Sequence, residues 1–279
     1  MIAGPAVRLL RVAGALGDGS GAYLPLAKAV ARAAAGAGAA EIGGVVAASF
    51  SNPNRFPSLA VEVASELGLG TGAPALDLQL ACSAWPYALY VAGRLASDLG
   101  RRILVLDGDV QSPLVDRADP ATGAIFSDAF TAAVIEAEPG ATAPFDFYSR
   151  RDESLTCAAA GPIRMDGFKV FAFVATEVSA FLRRFDRREF DFFVPHQAHP
   201  YMIRQLARSL QLADVLLTLP EAVKNPGGCS VPLTLAWASA EVRQSLCGRR
   251  ALVAGFGAGL SAAATVVQFA PDFVAERLS

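Results

Sequence analysis

One pattern restricts what this chain can fold into more than any other feature: a succession of helical and extended segments that runs through the sequence twice. A helical periodicity from Tyr23 to Ala35 leads to an apolar strand, Gly43 to Phe50, and then to a helix from Ser58 to Gly68. A strand at Ala75–Leu80, a helix ending at Gly100, a strand at Arg102–Asp107 and a second strand entered through Ile125–Ile135 complete the round. After an irregular stretch, Glu138 to Pro162, the order restarts with a short strand at Ile163–Met165 and a helix from Val170 to Phe185. Strands at Asp191–Pro195 and Val215–Leu219 alternate with helices over Pro200–Leu212 and Ser230–Ser245. Two strands around Gly255, Gly257 and Gly259 close it. Alternation of this kind implies an α/β fold with parallel pairing and helices on the sheet faces. The repeated order implies two pseudo-symmetric halves, residues 1–145 and 163–279, joined by a connection at 146–162.

The uncharged run Ala251–Ala270 is as long as a membrane span, but three glycines interrupt it, and two buried strands around a glycine turn are the better reading. Arg8, Arg11 and Asp18 interrupt the N-terminal apolar stretch, so no secretory leader is expected there. With a net charge of −2 and no basic run, nucleic acid is not an expected partner. The four cysteines have neither metal-ligand spacing nor the density of a disulfide framework, which points to reduced thiols in a cytoplasmic enzyme.

Three residues fall where an α/β sheet handles its ligands, just beyond the carboxyl ends of strands. Cys82 lies where the strand Ala75–Leu80 turns into a helix that carries Pro86 in its first turn. Unpaired N–H groups and the positive end of the helix dipole favour a thiolate at such a place. An inert packing cysteine is the competing reading. His196, in Val194-Pro195-His196-Gln197-Ala198-His199, follows a strand in the second half, and Asn225, in Lys224-Asn225-Pro226-Gly227-Gly228, stands in that half where Cys82 stands in the first. A hydrogen-bonded structural histidine and a plain Asn-Pro-Gly turn compete with functional roles here, and a zinc pair at His196 and His199 lacks further ligands.

These segments, together with Phe56-Pro57-Ser58, Phe126-Ser127-Asp128, Met165-Asp166-Gly167-Phe168 and Gly255-Phe256-Gly257-Ala258-Gly259, resemble in their order the β-ketoacyl-acyl carrier protein synthase III family. The resemblance implies a thiolase-like fold with mixed sheets in an α-β-α-β-α layering. It implies a catalytic triad of Cys82, His196 and Asn225, with an oxyanion held by the backbone N–H groups of Cys82 and Gly259. Cys82 would accept an acyl group from a thioester, and His196 and Asn225 would stabilise the enolate left when a malonyl thioester loses carbon dioxide. The product would be a 3-oxoacyl thioester of fatty acid or polyketide biosynthesis, made without metal or redox cofactor. Phe56 corresponds to a residue that closes the partner's acyl pocket, so a homodimer is expected.

The chain also departs from the family. A reduced N-terminal region removes the loop that meets the adenine end of coenzyme A, which leaves acyl carrier protein or coenzyme A open as donor. Arg204 and Arg208, one helical turn apart, either replace missing carrier-docking residues or form a solvated face. Lys224 replaces a glycine, and either binds an acidic acyl group or a malonyl carboxylate, or faces solvent. Two further readings remain: transfer of the Cys82-bound acyl group to an alcohol or amine, and a non-catalytic subunit of a heterodimer.

Overall fold

The computed structural model describes residues 1–159 and 161–278. Its strands are β1 (Ile2–Leu16), β2 (Ile42–Ala48), β3 (Ala75–Leu78), β4 (Arg102–Asp109), β5 (Ala129–Ser149), β6 (Leu155–Cys157), β7 (Ile163–Met165), β8 (Phe192–Pro195), β9 (Arg250–Gly257) and β10 (Ser261–Arg277). Its helices are α1 (Tyr23–Ala35), α2 (Leu59–Glu66), α3 (Ala84–Leu99), α4 (Gly167–Phe173), α5 (Ser179–Leu182), α6 (Pro200–Ser209), α7 (Ser230–Trp237) and α8 (Ala240–Leu246).

The duplication shows in the strand pairing. The first half runs β3-β2-β4-β5-β1, with β2 parallel to both β3 and β4, and β5 antiparallel to β4 and β1. In the second half Leu216 bridges to β8 in parallel, β8 is parallel to β9, and β10 is antiparallel to β9 and to the end of β5. The two orders are the same, strand for strand. The halves join where β1 and β10 run parallel, Arg8 beside Gln268 and Leu9 beside Phe269.

Among the described residues, the three largest of four apolar clusters fill the spaces between layers. One packs α1 and α2 on the outer face of the first half, through Ala27, Val30, Leu59 and Val63 against Val45 and Leu104. A second, around Phe173, Phe181, Ile203 and Leu206, covers the outer face of the second half. Between the two half-sheets lie α3 and α7, and this central cluster holds the wholly buried Trp85, Leu89, Val231 and Leu235. The result is the α-β-α-β-α layering that the resemblance implied. No helix among the described residues is long and apolar enough to cross a membrane, and the uncharged run near residue 260 forms β9 and β10.

Several sequence expectations change. The irregular stretch after Glu138, including the start of the connection at 146–162, is strand as far as Ser149. Pro139, Gly140 and Pro144 do not break β5, because β1 and then β10 pair with it. One strand thus ends the first unit and begins the second. β1 itself was not anticipated: its alternation is blurred because it is paired on both edges and buried on both faces over Val12 to Ala15. The segment Val215–Leu219 is reduced to a single bridge at Leu216. The helix expected over Ser230–Ser245 is two, because the Ser239 hydroxyl accepts the Val242 N–H and starts α8 afresh.

Candidate active site

The cysteine turn owes its shape to one strained residue and two glycines. Ala81, with φ +45°, takes a left-handed conformation that costs a residue bearing a Cβ about 1–2 kcal/mol. It reverses the chain between β3 and a short 3₁₀ turn, Ala81–Ser83, that runs into α3. The Ser83 hydroxyl donates to the Leu80 carbonyl at 3.0 Å and meets the Ser261 hydroxyl at 2.7 Å, which ties the turn to β10. β9 passes directly over it. A Cβ on Gly255 would lie 2.9 Å from the Ser83 Cα, and one on Gly257 would lie 2.7 Å from the Cys82 Cβ and 3.2 Å from its Sγ. Only glycine admits a strand this close.

The thiolate expected from the helix dipole does not result. Burial pushes the Cys82 thiol up to about 12, the Ala258 and Cys82 backbone N–H groups only partly oppose it, and the Asp109 and Asp107 carboxyls reinforce it. Desolvation outweighs the dipole because the sulfur is almost wholly enclosed. Gly259, whose N–H the resemblance assigned to an oxyanion, lines the cavity, but the loop N–H that bears on the sulfur belongs to its neighbour Ala258.

His196 directly follows β8, and its N–H donates to the Ala254 carbonyl at 2.7 Å. Its ring stands edge-on to Phe256, and its Nδ1 lies 2.7 Å from the Ser230 hydroxyl. Burial draws its pKa down to about 4 against a weaker opposing contact from the Gly227 backbone, so the imidazole is neutral. Asn225 is held by backbone pairing: its N–H donates to Ile125 and its carbonyl accepts from Ser127, both at 3.1 Å. Its Oδ1 accepts the Gly227 N–H at 2.9 Å, which leaves the amide nitrogen as the free end. Lys224, immediately before it, has φ +64°, the reason a glycine suits that position.

The turn Gly227–Cys229 packs against the cysteine turn, since a Cβ on Gly228 would lie 2.6 Å from the Ala81 carbonyl. The cavity, of about 930 Å³, is lined by Cys82 and Gly259 with Phe50, Leu80, Phe126 and Leu260. His196 and Asn225 are buried in the adjoining turns rather than in its wall. Phe56, Arg204, Arg208 and Lys224 lie on the surface away from it, Phe56 with 84% of its area exposed and Arg204 paired with Glu221.

Two acids escaped sequence reasoning. Asp109 accepts the Phe50 and Ser51 N–H groups and the Ser49 and Ser51 hydroxyls, pinning the loop that forms one cavity wall; burial pushes it up to about 6. Asp107 lies against Gly228, and burial together with Asp109 raises it well above the carboxylate range. Their only signal was an apolar strand ending in Asp107-Gly108-Asp109. His199 is exposed as the N-cap of α6, and no cluster of three or more His, Cys, Asp or Glu able to hold a metal occurs among the described residues.

Residues 76–150 match the family model for 3-oxoacyl-[acyl-carrier-protein (ACP)] synthase III, and residues 183–269 match the model for its C-terminal part. The β-ketoacyl-[acyl-carrier-protein] synthase III of Shewanella oneidensis is 32% identical over 257 residues, which are 84% of this chain and 80% of that one. The chain belongs to the 3-oxoacyl-[acyl-carrier-protein] synthase III family. Solved structures share the architecture of this synthase. A 3-oxoacyl-(acyl-carrier protein) synthase from Burkholderia xenovorans superposes with a TM-score of 0.85 at 22% identity, over 99% of this chain and 98% of that one. The priming β-ketosynthase of the R1128 polyketide pathway gives 0.84 at 23%, over 97% and 98%. At these identities the likeness concerns the fold alone.

Proposed function

We propose that this synthase III condenses a Cys82-bound acyl group with a malonyl thioester, and that Cys82, His196 and Asn225 are the residues that do so. The Cys82 sulfur attacks the acyl thioester, the new C–S bond replaces the old one, and the thiol proton leaves with the donor's sulfur. The backbone N–H groups of Cys82 and of the Ala258–Gly259 loop meet the oxyanion. The malonyl carboxylate then departs as carbon dioxide, and its bonding pair delocalises onto the thioester oxygen, where the His196 imidazole and the Asn225 amide donate. The enolate carbon attacks the acyl carbonyl. Cys82 leaves as a thiolate and takes up a proton.

The observation that carries this reading is that both candidate donors are neutral and tethered: His196 is titrated down to about 4 by burial, and the Asn225 Oδ1 is committed to Gly227. A base for transfer to an alcohol would need a pKa nearer the working pH, so the same observation weighs against the acyltransferase alternative. The exposed Phe56 favours a homodimer that covers it. Incubation with candidate acyl thioesters and labelled malonyl thioester, followed by peptide mass and carbon dioxide release, tests the assignment. Acylation confined to the Cys82 peptide, with both signals lost in Cys82→Ala, is expected. Acylation that survives in Cys82→Ala overturns it, and native mass spectrometry showing only a heterodimer without acylation of this chain favours the non-catalytic reading.

A further inference from the structure

We infer that Ser230 is a positioning residue that sets the tautomer of His196, so that the imidazole carries its proton on Nε2 and presents a donor. This rests on the reading of His196 given above. The Ser230 oxygen is wholly buried and lies 2.7 Å from His196 Nδ1 and 3.1 Å from the Gln197 backbone nitrogen. Gln197 can only donate, so one lone pair of the hydroxyl is taken.

The remaining question is where the Ser230 proton goes. Among the described residues no other acceptor lies within hydrogen-bond distance of this hydroxyl. If Nδ1 carried the ring proton and donated to the hydroxyl, the O–H of Ser230 would be a buried donor without a partner, a loss that buried polar groups avoid. If the O–H donates to Nδ1, every group is satisfied: Gln197 donates to the oxygen, the oxygen's proton goes to Nδ1, and Nε2 keeps the ring proton. The partner on Nδ1 is a hydroxyl, and among the described residues no carboxylate acts on the ring. A carboxylate there would favour Nδ1–H and a charged imidazolium, whereas the hydroxyl favours a neutral ring donating from Nε2. Ser230 begins α7, five residues after Asn225, so the same turn that carries one proposed donor sets the proton of the other.

The chain contains only two histidines, which makes the tautomer observable. In ¹⁵N-labelled His199→Gln protein, long-range nitrogen–proton correlation spectra should show His196 with an unprotonated Nδ1 and a protonated Nε2. An Nδ1–H tautomer overturns the inference. In Ser230→Ala the single tautomer should be lost, and malonyl decarboxylation should fall about 10- to 100-fold, while acylation of Cys82 stays within about twofold, because only the second half-reaction needs the ring donor. Equal losses in both half-reactions, or an unchanged spectrum, overturn it as well. Ser230→Cys, with its weaker donor, should lie between. The spectrum of the His199→Gln protein decides the matter even where Ser230→Ala fails to fold. An Nε2–H ring in an enzyme that releases no carbon dioxide supports the role of Ser230 and refutes the condensing reading.

Discussion

Gly257→Ala is the sharpest test of how the nucleophile is built. The new Cβ would sit 2.7 Å from the Cys82 Cβ and 3.2 Å from the sulfur, where carbon atoms prefer about 3.5–4.0 Å. The Cys82 Cβ is fixed to the backbone, so no rotamer relieves the contact, and strand or turn must shift by roughly 1 Å. Overpacking of this kind costs about 1–3 kcal/mol. The backbone at φ +154° adds a strain of similar order for a residue other than glycine. A total near 3 kcal/mol lowers Tm by roughly 5–10 °C in a chain of this size. A displacement of about 1 Å at a reacting atom slows chemistry on the order of 100-fold. Single-turnover acylation of Cys82, followed by intact mass beside thermal unfolding, measures both. Gly70→Ala, where an added Cβ meets nothing within 4 Å, is the control. Acylation at the parental rate in Gly257→Ala would refute the argument that close strand approach positions the sulfur.

Alkylation of Cys82 by iodoacetamide should rise steadily with pH towards the thiol's value of about 12, and run roughly 1000-fold slower at pH 8 than for a free thiol; a plateau below pH 8 would show that the helix dipole prevails after all. Lys224→Gly should raise Tm by a few degrees, because φ +64° strains a lysine by about 1–2 kcal/mol more than a glycine; an unchanged or lower Tm contradicts this. His196 has its folded pKa lowered to about 4, so it stabilises the native state fully above its unfolded value near 6.5, and this contribution, roughly 3 kcal/mol, is lost as pH falls through about 4. Denaturant titrations of the parent and His196→Gln across that window should converge by this amount as the pH drops. Parallel curves would mean that the imidazole is not held neutral.

The candidate site was legible in one dimension because its residues sit at strand ends, and strand ends are marked locally. Pro195 before His196, Pro226 and two glycines after Asn225, and Pro86 in the first turn of α3 are punctuation that needs no tertiary information. Gly255 and Gly257 were visible as a turn signal, but their use as clearance for Cys82 was not, since the clearance comes from another half of the molecule. A lysine in place of the glycine before Asn225 flagged Lys224, while its left-handed backbone became evident only from the turn it closes.

What the sequence by itself determined, then, is the order of elements, the duplication and the identity of the three chemically distinctive side chains, all of which follow from periodicity and neighbours along the chain. Tertiary structure alone decided that β5 serves both halves, that Asp107 and Asp109 lie beneath the site, and that the Cys82 thiol keeps its proton. The physical reason is common to these cases. Strand pairing, burial and the dielectric around a titratable group are set by residues distant in sequence, and at Cys82 the cost of desolvating a charge exceeds what the adjacent helix can supply.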